Sequence, residues 1–398
     1  AIKYGPNTVA GALNLTTRAV PSDGEGMVDI AAGTDGYTKA HAFYGNSVDD
    51  FGFLFEAANL QADGFKELDG GGDTGFDKSD VMAKFRYNLS TDTTEQVFEL
   101  KAGFANEQSN ETYLGLTDAD FAKNPHRRYA ATQQGLMDWS HSQLQLTHFV
   151  AGSNFDVTTR LYRNNFERSW RKVNNFVRVS SSTDRELSDI LANPEQGLNQ
   201  IYYQVLTGQK DSEASYENLI LGSNDREYYS QGIQSELRFQ YNLAGFEHNI
   251  HAGIRLHEDQ IQRDHFEQTY AMQGGRLVGV DVSKTFTSQN LENTQANSIY
   301  IQDTIEFGAL ETTFGIRGEF LDSHYQNRKA GKENDWLDKS SRIWLPSFSA
   351  FYRLSDNSGL LFGVHEGFVP TSPQENPAVD IENSVNYEFG GRYKNNGT

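Results

Sequence analysis

The chain has 398 residues, with 34 Lys and Arg against 54 Asp and Glu, which gives a formal net charge of -20. A strongly acidic chain repels polyphosphate, and no local basic block offsets that repulsion, so the composition excludes nucleic acid as a partner. The sequence contains no cysteine, which excludes disulfides, thiolate catalysis and cysteine-ligated metal centres.

No apolar run reaches the roughly 18 to 20 residues that a membrane-spanning helix requires. The low mean hydropathy of -0.63 fits a transmembrane β-barrel as well as a soluble protein, because lipid-facing and lumen-facing residues alternate along each barrel strand. The sequence has no nucleotide-binding fingerprint and no nucleophile elbow, so we expect no enzymatic activity.

In chain order, apolar and polar residues alternate through segments longer than ordinary strands, which average about 5 to 6 residues. In the segment 233–243, Ile233 and Leu237 face one side while Gln234 and Glu236 face the other. The same alternation occupies the segments 81–89, 250–257 and 310–320. The pattern predicts about fourteen long antiparallel strands.

The predicted connections alternate between short and long. Short polar turns fall near residues 46–50, 90–93, 151–154, 242–246, 307–309 and 354–358. Long loops cover about 62–78, 106–138, 167–227, 262–293, 325–341 and 366–384. A rim of short turns opposite a rim of long loops is the organisation of an outer-membrane β-barrel.

A soluble antiparallel sandwich or a solenoid is the alternative architecture. A sandwich gives no reason for long loops to collect at one end of such long strands, and no repeat of 20 to 50 residues is apparent. Helical patterning is limited to possible short turns within loops, such as residues 184–191. The sequence therefore favours an all-β transmembrane barrel.

Three separated segments resemble TonB-dependent outer-membrane receptors. The opening run resembles the end of their plug domain, through Tyr4, Gly5, Gly11, Asn14 and Arg18. Residues 111–121 with 124–129, and 367–370 leading into 384–390, resemble receptors of the ferric-citrate (dicitrate) type. Position 10 carries Ala where the family usually has a second Gly, a mild departure.

The resemblance implies a monomeric barrel of roughly 22 strands whose lumen is closed by an N-terminal plug. On this basis residues 1–20 are the end of the plug domain and residues 21–398 are a partial barrel with about fourteen of those strands. We expect the remaining strands, most of the plug and the segment that contacts TonB to lie outside this sequence.

The resemblance also implies a function in the outer membrane of a Gram-negative bacterium, in contact with its lipid. Such receptors bind a ferric siderophore from outside and import it with energy supplied by the inner-membrane TonB complex. Iron would arrive as chelated cargo, and no cofactor is expected. Ferric citrate is the favoured cargo, and the alternatives are another chelate, a carbohydrate, a porin-like barrel or an adhesin.

Arginines predicted in or beside the long loops are candidates for binding the cargo. Guanidinium groups stay charged and pair bidentately with carboxylates, which suits an anionic ferric polycarboxylate. The candidates are Arg127, Arg128, Arg163, Arg168, Arg171, Arg178 and Arg226. The alternative is that these arginines pair on a solvated surface with Glu167, Asp184, Glu186 and Asp225.

The predicted strands and loops also assign aromatic residues and further arginines to the loops, the membrane interface or the lumen. Loop residues that could stack against a chelate are Trp170, Tyr202, Tyr203 and Tyr216. Tyr228 and Tyr229 are predicted to begin a strand and to belong to the aromatic girdle at the membrane interface. Arginines expected to face the lumen and contact the plug are Arg86, Arg238, Arg255 and Arg317.

Two groups of residues suggest metal ligands. Asp69, Asp73 and Asp77 lie in a glycine-rich segment and could hold calcium, although their spacing does not match an EF-hand, and a solvated loop is the alternative. His251 and His257 share a predicted strand face, but an extended strand separates them too far for one coordination sphere. We therefore predict no resident metal site on these histidines.

Overall fold

The structure, a computed structural model, describes residues 5, 13–332, 334–375, 379 and 381–394. In this part of the chain, fourteen strands form one antiparallel sheet in which each strand pairs with the next along the chain. The sheet strands are Glu25–Ala32 (β1), Thr38–Val48 (β2), Phe51–Ala62 (β3), Phe76–Asn88 (β5), Glu95–Ser109 (β6), Leu136–Ala151 (β8), Phe155–Phe176 (β9), Leu219–Leu243 (β10), Phe246–Gln273 (β11), Arg276–Phe307 (β12), Leu310–Asn327 (β13), Trp336–Ser355 (β14), Ser358–Val369 (β15) and Glu382–Tyr393 (β16).

The remaining elements lie in the long connections. Two short strands, Glu67–Leu68 (β4) and Arg127–Arg128 (β7), pair with each other in parallel. The helices are Asp118–Lys123 (α1), Leu187–Ala192 (α2) and Leu198–Leu206 (α3), with 3-10 turns at Ala130–Thr132 and Ser215–Glu217. No helix among the described residues is long and apolar enough to cross a membrane.

The predicted alternation sorts side chains onto the two faces of the sheet. Arg160, Gln234 and Arg255 are directly opposite one another on β9, β10 and β11, and together with residues 14–17 they line a cavity of about 530 Å³. We call the face that contacts this opening segment the inner face. The opposite, outer face carries apolar residues such as Ile233, which is 42% exposed. The predicted count of fourteen sheet strands is confirmed.

All six predicted short turns lie at one rim, between β2 and β3, β5 and β6, β8 and β9, β10 and β11, β12 and β13, and β14 and β15. The predicted long loop at 262–293 is wrong. Strands β11 and β12 continue through it and meet at Gly274 and Gly275, whose φ angles are +55° and +74°. Two successive positive φ values make the tight hairpin turn that glycines favour, so the chain reverses without a loop.

The other long loops are shorter than predicted because the strands extend beyond the apolar band. The predicted loop 167–227 shrinks to residues 177–218, and the predicted helical turn at 184–191 overlaps α2. Consequently Arg163, Arg168 and Arg171 lie on β9 and Arg226 lies on β10, rather than in or beneath a loop. Their side chains are therefore assigned to a face by the alternation of the strand.

The connections 110–135 and 177–218 and the β11–β12 hairpin tip pack on a shared apolar core, which we call the loop core. Its buried members include Tyr129, Tyr202, Leu206 and Met272. The loop core thus holds these connections against one another at the long-loop rim. At the sheet ends, no backbone pairing joins β1 to β16 within the described residues.

Candidate functional site

Three arginines lie side by side on the inner face, near the long-loop rim. Arg168 on β9 is directly opposite Arg226 on β10, which is directly opposite Arg263 on β11. Directly opposite residues project to the same face, and neighbouring strands are about 4.7 to 4.9 Å apart. We call Arg168, Arg226 and Arg263 the arginine row. Sequence reasoning found two of them and missed Arg263, which fell in the predicted 262–293 loop.

The arginine row has few counter-charges. Nη1 of Arg263 lies 3.4 Å from Oε2 of Glu292. No carboxylate lies within 4.0 Å of Arg168 or Arg226 among the described residues, and Nε of Arg168 is buried without a hydrogen-bond partner there. Like charges directly opposite each other destabilise a sheet, so an anion bound between these guanidinium groups would relieve their repulsion.

The acidic residues predicted as alternative partners point away from the row. Glu167 precedes Arg168 and Asp225 precedes Arg226, so strand alternation places both carboxylates on the outer face. There Ser169 donates a hydrogen bond to Asp225 over 2.6 Å. The surface pairing expected as the alternative therefore does not apply to these two arginines.

Beside the row, His265 accepts a hydrogen bond from Nε of Arg226 over 3.0 Å. Burial lowers the pKa of His265, and the charges of Arg226, Arg263 and Arg168 lower it further. The lowered pKa favours the neutral imidazole, so the positive charge of the site resides mainly on the guanidinium groups.

Closer to the rim, a lysine lies between two aromatic rings. Nζ of Lys172 is 3.8 Å from the ring centroid of Tyr113 and 4.7 Å from that of Trp170. Burial lowers the pKa of Lys172. Nε1 of Trp170 is buried and finds no hydrogen-bond partner within the described part of the chain. These groups extend the cationic, aromatic surface from the arginine row towards the outside.

On the other side of the row, three inner-face rings are among the residues that line an open cavity of about 650 Å³. His141, Phe166 and Tyr228 are directly opposite one another on β8, β9 and β10, and the Phe166 centroid is 5.7 Å from that of Tyr228. We call this the aromatic cavity. Tyr228 thus faces inward from within β10, not outward in an interfacial girdle at the start of a strand, because the strand already begins at Leu219.

The other candidate arginines do not join the row. Arg163 and Arg171 project from the outer face of β9, where Arg163 lies over the ring of Tyr229 at 4.0 Å and Nε of Arg171 donates to the carbonyl of Gln134 over 2.8 Å. Tyr229 likewise faces outward, as its register with the outer-face residues of β9 requires.

Three further candidate arginines are held by the loops. Arg127 contacts Asp69 at 2.9 Å and Asp120 at 2.6 Å. Arg128 is only 3% exposed and donates hydrogen bonds to Thr132 and to backbone carbonyls. Arg178 pairs with Glu186, as the solvated-surface alternative predicts.

Of the four aromatic residues predicted to stack against a chelate, three pack in or against the loop core and one lies beside the arginine row. Tyr202 is 1% exposed in the loop core, Tyr216 packs against that core, and the hydroxyl of Tyr203 donates to Asp120 over 2.7 Å. Trp170 is the one predicted loop aromatic, among those described, that lies beside the arginine row, at 6.0 Å between its ring centroid and Cζ of Arg168. It is placed on β9, not in a loop.

The possible calcium ligands are not brought together. Asp69 binds Arg127, Asp73 accepts from the backbone of Gly75, and Asp77 accepts from Asn59. No group of three or more acidic or histidine side chains is placed to hold a metal ion in the described residues. His251, His257 and His265 share the inner face of β11, opposite Arg238, Gly232 and Asn224.

The end of the opening run contacts the inner face of the sheet. Cζ of Arg18 lies 3.6 Å from the ring centroid of Phe43, and its Nε lies 3.7 Å from Glu56. Arg86 donates to the carbonyl of Val20 over 3.4 Å. Gly5 has a φ of +80°, and a Cβ there would lie 2.9 Å from Nη2 of Arg317.

Asn14 lines the same cavity as Arg160, Gln234 and Arg255. Two other residues of the predicted motif, Tyr4 and Gly11, lie outside the described residues. Arg86, Arg238, Arg255 and Arg317 project to the inner face by register, as predicted.

A long-stranded antiparallel sheet with an apolar outer face, a polar inner face, a short-turn rim and a long-loop rim defines an outer-membrane β-barrel protein. Residues 138–398 match the family described as TonB dependent receptor-like, beta-barrel. The chain belongs to this family of Gram-negative outer-membrane receptors, which are not enzymes.

Several solved structures are similar in fold. The ferric citrate transporter FecA in its unliganded form is 18% identical with a TM-score of 0.72, over 99% of this chain and 52% of that one. The siderophore receptor PiuA from Acinetobacter baumannii is 10% identical with a TM-score of 0.73, over 98% and 57%. The ferric-catecholate import receptor Fiu from E. coli K12, in its closed form, is 11% identical with a TM-score of 0.71, over 98% and 59%. The chain thus spans between half and three fifths of the length of these receptors.

Proposed function

We propose that this chain belongs to a TonB-coupled receptor that binds an anionic ferric chelate at the arginine row and imports it. The observation that carries the proposal is the direct register of Arg168, Arg226 and Arg263 on the inner face, where Arg263 pairs with Glu292. Three cationic groups converge at the mouth of the lumen, where a chelate arriving from outside would enter.

The free energy of binding requires several arginines to contact the same chelate. A hydrogen bond to a charged group contributes about 1.5 to 3 kcal/mol, whereas nanomolar affinity requires about 12 kcal/mol. No single arginine supplies this, and a net charge of -20 repels an anion at long range. A local group of guanidinium donors overcomes that repulsion at short range. Because guanidinium groups pair well with carboxylates, the arginines taken by themselves favour ferric citrate as the cargo.

The proposal includes the rest of the transport machinery. Residues 1–20 would be the end of the plug and residues 21–398 part of the barrel, with the outer face against lipid. The contacts of Arg18 with Phe43 and of Arg86 with Val20 support a plug that rests on the barrel wall. The receptor would act as a monomer, with iron as chelated cargo, no resident cofactor, and TonB as its energy-supplying partner.

The test is a titration of the purified full-length receptor with ferric citrate and other anionic ferric chelates. We expect Arg168→Gln and Arg226→Gln each to weaken binding by about ten- to a hundredfold, because each removes charged hydrogen-bond donors. Arg163→Gln is the matched control, since Arg163 lies on the same strand and faces outward. Equal affinity in all three variants and the wild type would overturn the proposal.

A further inference from the structure

Glu292 is the carboxylate beside the arginine row, and two separate parts of the chain hold it. It is directly opposite Ile261, two residues from Arg263, and therefore shares the inner face with the row. Nη1 of Arg263 lies 3.4 Å from its Oε2. From the connection after β15, the hydroxyl of Ser372 donates a hydrogen bond to Oε1 over 3.3 Å, and Nε2 of Gln374 donates to Oε2 over 3.3 Å. The side chain is 17% exposed, so the carboxylate is held in place and still accessible to a ligand.

This counter-charge makes the two ends of the arginine row different. At one end, Arg168 and Arg226 have no carboxylate within 4.0 Å among the described residues. At the other end, Arg263 pairs with Glu292 and also donates a hydrogen bond to Oδ1 of Asn290 over 3.0 Å. An anionic group is therefore attracted to the end formed by Arg168 and Arg226, whereas the carboxylate of Glu292 offsets that attraction at Arg263.

We infer that Glu292 determines which chelates the arginine row accepts. This inference rests on the proposed function and narrows it. The anionic part of the chelate binds Arg168 and Arg226, and an uncharged hydrogen-bond donor of the chelate, an amide or a hydroxyl, binds Glu292 beside Arg263. The cargo class is then an anionic ferric chelate that carries such a donor. A chelate whose peripheral groups are all carboxylates is disfavoured.

The acceptor capacity of Glu292 matches one further donor. An ionised carboxylate only accepts hydrogen bonds and offers about four lone-pair sites. Arg263, Ser372 and Gln374 each use one of these sites. An amide or a hydroxyl of the chelate would use the remaining site, whereas a carboxylate has no proton to donate and would lie beside a like charge. The site therefore discriminates between an amide and a carboxylate of nearly the same size.

The experiment compares two probes of nearly equal shape by titration of the full-length receptor in detergent. The probes are ferric citrate and the ferric complex of citrate monoamide, in which one terminal carboxylate is replaced by a primary amide. We expect the wild type to bind the amide complex about tenfold more tightly. Glu292→Gln keeps the shape of the side chain and removes its charge. It should tighten ferric citrate by about tenfold and the amide complex by less than about twofold, so that the preference disappears.

Glu227→Gln is the matched control, because it removes the same charge from the outer face of β10 at the same rim. This variant should keep the preference for the amide complex. A merely structural role for Glu292, such as holding Ser372 in place, would change both affinities by the same factor and leave their ratio unaltered.

The outcomes separate this inference from the proposed function. If the wild type binds the two probes equally or prefers ferric citrate, or if Glu292→Gln leaves the ratio of affinities unchanged, the inference is wrong. The wild-type comparison decides the matter even if the variant does not fold. The proposed function survives such a result when Arg226→Gln still weakens ferric citrate. If neither probe responds to Arg168→Gln or Arg226→Gln, the proposed function itself fails.

Discussion

Nε of Arg226 donates a hydrogen bond to Nε2 of His265 over 3.0 Å. The accepting nitrogen carries no proton, so the contact holds His265 as the neutral tautomer with its proton on Nδ1. Protonation of His265 would break this hydrogen bond and add a fourth cation beside the arginine row. The charge of His265 is therefore linked to occupation of the row by an anion.

We expect the affinity for an anionic chelate to rise as the pH falls from about 7.5 to about 5.5. The pKa of His265 is lowered in the ligand-free protein, first by burial, so protonation in this range costs folding stability. A bound anion raises that pKa, and binding then takes up a proton, which favours the complex at lower pH. Titrations at both pH values measure this, and His265→Gln should flatten the dependence. An identical dependence in wild type and variant would contradict the linkage.

Asp120 joins two of the long loops, and its loss should loosen them. Its carboxylate accepts hydrogen bonds from the hydroxyls of Tyr129 and Tyr203 and an ion pair from Arg127, over 2.6 to 2.7 Å. Burial alone would raise the pKa of Asp120, but these contacts outweigh burial and lower it. Their stabilisation is therefore present above the ordinary carboxyl pKa and is lost as the pH falls through the lowered value.

We expect Asp120→Asn to increase proteolysis within residues 110–135 and 177–218 by about tenfold or more, since each hydrogen bond to a charged group contributes about 1.5 to 3 kcal/mol. Asp118→Asn, an exposed change in the same helix, is the control. Equal cleavage rates for the two variants would show that Asp120 does not hold the loops together.

The buried pair Arg317–Glu319 should contribute to the stability of the inner face. Nε of Arg317 lies 2.6 Å from Oε1 of Glu319, and their side chains are 4% and 2% exposed. Arg317→Met leaves the carboxylate buried without this partner, which costs about 3 to 5 kcal/mol. Thermal unfolding in detergent should show a clear loss, and the double variant Arg317→Met with Glu319→Leu should recover much of it. No loss in the single variant would contradict the assigned role.

The tip of the β11–β12 hairpin depends on its glycines. We expect Gly275→Val to destabilise the tip by about 1 to 2 kcal/mol, because a β-branched residue resists the observed φ of +74°. Gly274→Asn should be tolerated, since Asn adopts positive φ readily. Hydrogen exchange of the amides near the tip distinguishes the two, and equally slow exchange in both variants would argue against this turn geometry.

The strands and short turns were predictable because lipid on one side and the lumen on the other impose a period-2 pattern. Above the membrane both faces of the sheet contact water, so the outer-face positions of β11 and β12 need not be apolar. The period-2 pattern is therefore lost around Arg263, and the sequence predicts a loop there. Once β9 extends to Phe176, alternation alone separates Arg168 from Arg163. The burial of Arg128 depends on packing between distant loops, which no local pattern encodes.

The most direct test of the arginine row is the position of the iron. Crystals of the full-length receptor with a bound ferric chelate give an anomalous signal at the iron absorption edge, which locates the metal independently of the ligand. The account predicts a chelate on the inner face whose anionic oxygens accept hydrogen bonds from at least two of Arg168, Arg226 and Arg263. Iron found away from the inner face, with all three guanidinium groups unliganded, would contradict it.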